Sequence, residues 1–164
     1  MRSQLLVLFL IVFMQTVSAQ SDITTLIFVR HAEKVNDGSK DPELTVEGKD
    51  RATRLAAMLS TQPVAAIYST DFKRTRNTVA PLAEAVNIKL SLYEPMKLAQ
   101  LQELIGKHKG GTVVICGHSN TTPAMINMLT GEETFKQWED SDYGNVVIVS
   151  VPTSGEPKVT KLRY

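Results

Sequence analysis

Short apolar runs rich in β-branched residues recur along residues 20–164, separated by segments with a helical spacing of apolar positions. Each run is too short for an ordinary helix and is bounded by Gly, Pro or polar residues, which favours a strand. We predict strands at residues 24–29, 64–68, 88–92, 112–116, 146–151 and 159–162.

The segments between these runs predict helices. Ala52, Leu55 and Leu59 fall on one helical face, and Thr45 precedes them as a residue whose hydroxyl can cap the first turn. Pro81 interrupts the second helical segment and can kink it, because proline lacks an amide hydrogen. We predict helices from residue 45 to about 59 and at 71–86, 98–105 and 122–129.

This order of elements predicts the class of fold. Strands that alternate with helices, and that read as continuous apolar runs, favour a sheet covered on both faces. We therefore predict an α/β three-layer sandwich, with a mostly parallel central sheet, helices on both faces and an antiparallel edge strand. Ligands of such sheets bind beyond the carboxyl ends of the strands.

The first nineteen residues differ from the rest of the chain. Arg2 is followed by an unbroken apolar run at 5–14 and by Val17-Ser18-Ala19, the small-residue pattern of a signal-peptidase site. The run is too short to cross a bilayer. We expect residues 1–19 to be a signal peptide, residues 20–164 to form one domain, and the protein to be periplasmic or secreted, with no stable membrane insertion after cleavage. An uncut N-terminal anchor is the alternative.

Charge and cysteine content narrow the classes of partner. Only Arg2 of the basic residues precedes residue 20, so the remaining chain carries equal numbers of basic and acidic side chains, 17 of each. A neutral domain gives no support to nucleic-acid binding, and any anion site must be local. The single cysteine, Cys116, cannot form an internal disulfide and is predicted to be a buried strand residue.

Three predicted strands end in residues that can carry chemistry. Arg30 and His31 follow the first strand, Arg74 comes shortly after the second, and His118 follows the fourth. If these strands are parallel, all four side chains meet at one edge of the sheet. Guanidinium forks suit phosphate oxygens, and a neutral imidazole is a nucleophile for phosphorus. The cluster therefore predicts phosphoryl transfer through a phosphohistidine, with no metal or cofactor.

Some assignments at this edge stay open. Asn120 could contact phosphate or cap the following helix, and the sequence favours neither. A zinc site built on His31 and His118 lacks an evident third ligand, and two nearby arginines oppose a cation. Tyr143 and Trp138 could border the site, although packing against the core is the simpler interpretation.

Four segments, taken in order, resemble the histidine phosphatase superfamily, the phosphoglycerate-mutase-like group, over nearly all of residues 20–164. The strand-then-Arg-His-Gly signature of the family is present with Ala32 in place of Gly, and its Leu-Thr-x-x-Gly segment is 44–48. Its Ser-x-Leu-x-Arg-Ala-x-x-Thr segment corresponds to 70–78, and its second histidine segment to Gly117-His118. The short chain is most similar to the single-domain members that resemble phosphohistidine phosphatases.

The resemblance implies a role for each matched residue. His31 would accept the phosphoryl group, and Arg30, Arg74 and His118 would form the phosphate pocket. The family also uses an acid that protonates the leaving oxygen, and Glu94 lies in about its place. The other candidates for this acid are Asp71 and Glu33.

The resulting hypothesis is an exported phosphatase that hydrolyses phosphomonoesters or phosphoprotein through His31. A non-catalytic module that binds phosphate or phosphoprotein is the alternative from another class. A phosphoglycerate-type mutase is a second alternative, but the chain lacks sequence for a large lid. The expected partners are a phosphorylated small molecule or a phosphoprotein, and no nucleic acid.

Overall fold

A computed structural model describes residues 22–164, and the predicted signal peptide lies outside them. Six strands and four helices alternate along this part of the chain, and none of these helices is long and apolar enough to cross a membrane. The elements are β1 (Ile23–Arg30), α1 (Val46–Leu59), β2 (Val64–Ser69), α2 (Lys73–Ala85), β3 (Ser91–Leu92), α3 (Leu98–Lys107), β4 (Thr112–Gly117), α4 (Thr121–Thr130), β5 (Asn145–Pro152) and β6 (Lys158–Arg163).

The strands form one sheet in the order β3-β2-β4-β1-β5-β6. The first four are mutually parallel, whereas β5 pairs antiparallel with β1, and β6 pairs antiparallel with β5. The prediction of a mostly parallel sheet with an antiparallel edge is therefore confirmed. Because β1, β2 and β4 are neighbours and parallel, their carboxyl ends share one edge of the sheet.

Apolar side chains cover both faces of the sheet, since alternate residues of each strand point to opposite sides. On one face Val29 and Val114 pack against α1 and α2, through residues such as Leu55 and Leu82. The other face packs against α3 and α4. The three layers are thus helices, sheet and helices, as predicted.

Two local features differ from the predicted elements. The third strand is reduced to Ser91–Leu92, because Ile88 and Leu90 instead pack as half-buried side chains against the core beside α1 and α2. Helix α2 begins at Lys73, two residues later than predicted, and continues through Pro81 to Ala85, within the predicted span of 71–86. The predicted cap of α1 is present, with the Thr45 hydroxyl accepting a hydrogen bond from the Gly48 amide at 3.1 Å.

Gly48 brings the start of α1 against the segment that follows β1. A Cβ atom at this position would lie 2.2 Å from the carbonyl oxygen of Glu33, a distance that real Cβ contacts do not reach. The amide of Thr45 donates to the same carbonyl at 2.9 Å. Helix α1 and the segment after His31 are therefore held together by backbone contact.

We expect Gly48→Ala to destabilise the protein by about 1–3 kcal/mol, because the added methyl forces the two backbones apart. Gly106→Ala is the matched control, since a Cβ there meets nothing within 4 Å and alanine favours a helix by roughly 0.5–1 kcal/mol. Urea unfolding of both variants measures the difference. Equal stabilities for the two variants would contradict the close approach at Gly48.

Candidate active site

The carboxyl ends of β1 and β4 bring the two predicted histidines together. Residues Arg30 and Gly117 are partners in the parallel pairing, and the His31 amide donates to the Gly117 carbonyl at 2.9 Å. His118 follows directly, so the centroids of the two imidazoles lie 5.6 Å apart. The neighbouring strand β2 leads into Thr70 and then α2, which carries Arg74 to the same edge.

His31 is held in a defined orientation. Its side chain is buried, and Nδ1 lies 2.8 Å from the carbonyl oxygen of Ala32. A carbonyl only accepts, so Nδ1 carries the proton and Nε2 keeps its lone pair. Burial lowers the pKa of His31 to about 3, and the nearby cation of Arg30 adds to this effect. The imidazole is therefore neutral and available as a nucleophile at neutral pH.

His118 is held from the side of β2. Its Nε2 atom lies 2.9 Å from the hydroxyl of Thr70, which in turn donates to the hydroxyl of Thr75 at 3.0 Å. The ring of Phe72 meets the imidazole edge to face, with centroids 5.1 Å apart. Burial lowers the pKa of His118 to about 4, with contributions from the two arginine cations.

Arg30 is buried against the segment that precedes β5. Its Nη1 atom donates to the carbonyls of Glu139 and Asp142, at 2.7 and 3.0 Å. The guanidinium also lies over the ring of Tyr143, 4.1 Å from the centroid, and Nη2 is 3.7 Å from a carboxylate oxygen of Asp140. Its Nε atom is buried and makes no hydrogen bond within residues 22–164.

Arg74 mirrors this arrangement on the other side of the site. Its guanidinium lies 4.3 Å from the centroid of Phe72, and Nη1 makes a long hydrogen bond of 3.4 Å to the Lys40 carbonyl. As in Arg30, the Nε atom is buried with no hydrogen-bond partner in the described part of the chain. Two guanidinium groups thus keep buried N–H donors beside two neutral imidazoles, an arrangement suited to an oxyanion.

The three candidate acids are each engaged by a cation. Two oxygens of Glu33 accept from Arg51, and Glu33 and Arg51 form a bidentate pair. The carboxylates of the other two candidates are more exposed and form ion pairs at the surface: Asp71 with Arg76, and Glu94 with Lys97.

Other residues singled out in the sequence lie as follows. Asn120 is the N-cap of α4, and its exposed side chain makes no capping hydrogen bond. Cys116 is fully buried, as predicted. His108 lies outside the site and is half-buried, with Nε2 2.9 Å from the Tyr68 hydroxyl. Within residues 22–164, no group of three or more His, Cys, Asp or Glu side chains is placed to hold a metal ion.

Tyr143 lies at the site, which was the less favoured of its two sequence interpretations. Its ring lies over Arg30 and 6.0 Å from the ring centroid of His31, whereas packing against the core was preferred. Phe72 and Thr70 were not assigned a role. Both precede Arg74 within the matched segment 70–78, and their place in that segment was the available signal.

The fold and the site together define an α/β protein with a cluster of two histidines and two arginines at the carboxyl edge of its sheet. Residues 26–97 match the family model of the histidine phosphatase superfamily (branch 1). A curated relative, phosphoserine phosphatase 1 of Hydrogenobacter thermophilus, is 41% identical over 71 residues. That match covers 40% of this chain and 34% of the relative, so the chain matches about a third of the relative's length.

Solved structures share the fold. Phosphoserine phosphatase of Entamoeba histolytica, in complex with 3-phosphoglyceric acid, superposes with a TM-score of 0.68 and 19% identity over 86% of this chain and 97% of that one. The protein histidine phosphatase SixA, complexed with tungstate, superposes with a TM-score of 0.67 and 18% identity over 85% and 96%. These findings confirm the predicted resemblance to the histidine phosphatase superfamily.

The lowered pKa values of His31 and His118 predict how stability depends on pH. An unfolded histidine titrates near pH 6.5, whereas these two titrate at about 3 and 4 in the fold. Below pH 6.5 the unfolded state therefore binds more protons, so stability falls as the pH is lowered from about 6.5 to 4.5 and is fully present above 6.5. Urea unfolding across this range should show the slope.

His31→Ala should reduce that slope, because one of the two displaced titrations is removed. In ¹⁵N NMR spectra, the imidazoles of His31 and His118 should still be neutral at pH 5.5. An ordinary titration near pH 6.5 for either residue would contradict the burial that the site shows.

Proposed function

We propose that this chain is a phosphatase in which His31 accepts the phosphoryl group of a phosphomonoester or a phosphoprotein. One observation carries the proposal: two buried guanidinium Nε donors without a protein partner lie beside an imidazole whose Nε2 lone pair is free. Unpaired buried donors are costly unless a ligand completes their hydrogen bonds. An anion with several oxygens meets that need.

The first step is an in-line attack by His31 Nε2 on phosphorus. A P–N bond forms as the bond from phosphorus to the leaving oxygen breaks, and the leaving oxygen takes up a proton. Arg30 and Arg74 donate to the oxygens whose charge increases in the transition state. His118, held by Thr70, lies beside His31, with the two ring centroids 5.6 Å apart.

In the second step a water molecule attacks the phosphohistidine. The P–N bond breaks, inorganic phosphate forms, and the proton of the water passes to a base. We propose Glu94 as the group that gives the first proton and takes the second, on the resemblance alone, and its ion pair with Lys97 must open for it to do so. Each step uses side chains of the protein and water, with no metal.

The similar proteins guide the class of substrate. One is a phosphoserine phosphatase and another a protein histidine phosphatase, so both free phosphoesters and phosphorylated proteins are substrates to test. Phe72, whose ring contacts His118 and Arg74, has 37% of its surface exposed, so this side of the site is in contact with solvent.

We expect the protein to hydrolyse an aryl phosphate in the presence of EDTA, and His31→Ala to lower kcat by roughly 10³-fold or more, since the nucleophile is lost. His108→Ala is the matched control, because His108 lies outside the site, and it should retain turnover. Rapid quenching followed by mass spectrometry should find one phosphoryl group on the peptide that contains His31.

The other outcomes separate the alternatives. Phosphate binding without turnover in the wild type favours the binding module, and phosphoryl transfer between two positions of a phosphoglycerate favours a mutase. Turnover that EDTA abolishes would contradict the proposed mechanism.

A second test addresses the pocket. Arg74→Ala should weaken vanadate binding about 10- to 100-fold, which corresponds to the roughly 1.5–3 kcal/mol of a charged hydrogen bond. Arg76→Ala, two residues along the same helix, removes a guanidinium that pairs with Asp71 and should leave the affinity unchanged. Calorimetric titration of both variants measures the difference, and equal weakening would mean that only net charge matters.

A further inference from the structure

Arg51, on α1, uses both sides of its guanidinium to connect two segments of the chain. Nε and Nη2 donate to the carboxylate of Glu33, with distances of 2.9 and 2.6 Å to one oxygen. On the other side, Nη1 donates to the main-chain carbonyl of Tyr164 at 2.9 Å. The side chains of Arg51 and Glu33 are only 18% and 23% exposed, so the pair is shielded from solvent and from competing ions.

The first segment orients His31. The carbonyl of Ala32, which accepts the Nδ1 proton of His31, belongs to the peptide group that joins Ala32 to Glu33. That peptide is held from both of its neighbours, because the Ala32 amide donates to the Thr78 hydroxyl at 2.8 Å and the Glu33 carbonyl accepts from the Thr45 amide. The bidentate contact with Arg51 holds the side chain of Glu33, the second residue of this peptide.

The second segment orients Arg30. The amide of Tyr164 donates to the carbonyl of Gly144 at 3.1 Å, and Gly144 directly follows Tyr143, whose ring lies under the Arg30 guanidinium. The packing is close, since a Cβ at Gly144 would lie 3.0 Å from the Tyr164 carbonyl oxygen and 3.5 Å from Nη1 of Arg51. Arg51 Nη1 thus lies close to Gly144, the residue next to Tyr143.

The pKa of the Glu33 carboxyl reflects its contacts with Arg51. Burial by itself raises the pKa of the Glu33 carboxyl, but the hydrogen bonds and charge of Arg51, a backbone hydrogen bond and the charge of Arg54 together hold that pKa below its usual value. Glu33 is thereby an anion at neutral pH, engaged on both oxygens. A proton-transfer role for Glu33 does not fit these contacts, whereas a structural role toward His31 does.

We propose that Arg51 is a positioning residue, which sets the hydrogen bond that orients His31 through Glu33 and the placement of Arg30 through Tyr164 and Gly144. The proposal deepens the proposed phosphatase function and rests on it for the effect on turnover. The effects on the His31 imidazole and on oxyanion binding do not require turnover, and they test Arg51 separately.

The experiment compares Arg51→Ala and Arg51→Lys with Arg54→Ala. Arg54 is the matched control, since it is exposed on the same helix and also lies near Glu33 and Tyr164, while its side chain makes no hydrogen bond with the other residues of 22–164. The readouts are the ¹⁵N shifts of the His31 imidazole, vanadate affinity by calorimetry, kcat and KM for an aryl phosphate, and Tm.

We expect Arg51→Ala to move the His31 nitrogens toward a mixture of tautomers, to weaken vanadate binding and to lower kcat about tenfold, the scale typical of lost outer-shell contacts. Arg51→Lys should recover only part of each effect, because an ammonium lacks the planar fork. Arg54→Ala should match the wild type in the His31 shifts, in vanadate affinity and in kcat.

Two results would overturn the proposal. One is a lower Tm in Arg51→Ala with His31 shifts and vanadate affinity unchanged, which would make Arg51 a stabilising residue only. The other is an equal change in the His31 shifts and in vanadate affinity in Arg54→Ala, which would make net charge the cause. If Arg51→Ala does not fold, the near-isosteric Glu33→Gln variant must reproduce the change in the His31 shifts, and unchanged shifts there also overturn it.

Discussion

The hydrogen bond from the His31 amide to the Gly117 carbonyl extends the pairing of β1 and β4 by one residue beyond the last strand partners. His31 and His118 therefore each directly follow the last paired residue of their strand, at the same edge of the sheet. The imidazoles lie 5.6 Å apart because of this backbone register, and no direct contact between their polar atoms is needed. A shift of one residue would turn His31 to the other face of the sheet.

Burial of polar groups at this edge has a thermodynamic consequence. Arg30 and His31 are 2% and 4% exposed. The guanidinium groups of Arg30 and Arg74 nevertheless each keep a buried Nε donor without a partner in the described chain. Such groups lower the stability of the unliganded fold by roughly 1–3 kcal/mol each. In the proposed function, the oxygens of the substrate phosphate accept these hydrogen bonds, which the protein alone does not make. In the unliganded protein, the Arg30 guanidinium lies over the ring of Tyr143 and the Arg74 guanidinium over the ring of Phe72.

Much of the fold follows from short-range patterns in the sequence. The run at Thr112–Gly117 was readable as a buried strand because it lies at the centre of the sheet with both faces covered. Strand β3 was overestimated for a related reason: at an edge, Ile88 and Leu90 bury themselves in the adjacent core without pairing as a strand. Burial pattern alone does not distinguish these outcomes, since both place apolar side chains in the core.

The part of the site that could be predicted consists of side chains in recognisable motifs. Arg30, His31, Arg74 and His118 belong to such motifs, and they do lie together. The contacts that hold Arg30 are mostly main-chain carbonyls of residues 139 and 142, and Arg51 reaches the carbonyl of Tyr164. Every residue type has a carbonyl, so such contacts leave no mark on the sequence. Arg51 was therefore not identified from the sequence, and Tyr143 was named only as a residue that could border the site. The roles of both depend on how an irregular segment and the end of β6 pass each other, which only the folded chain determines.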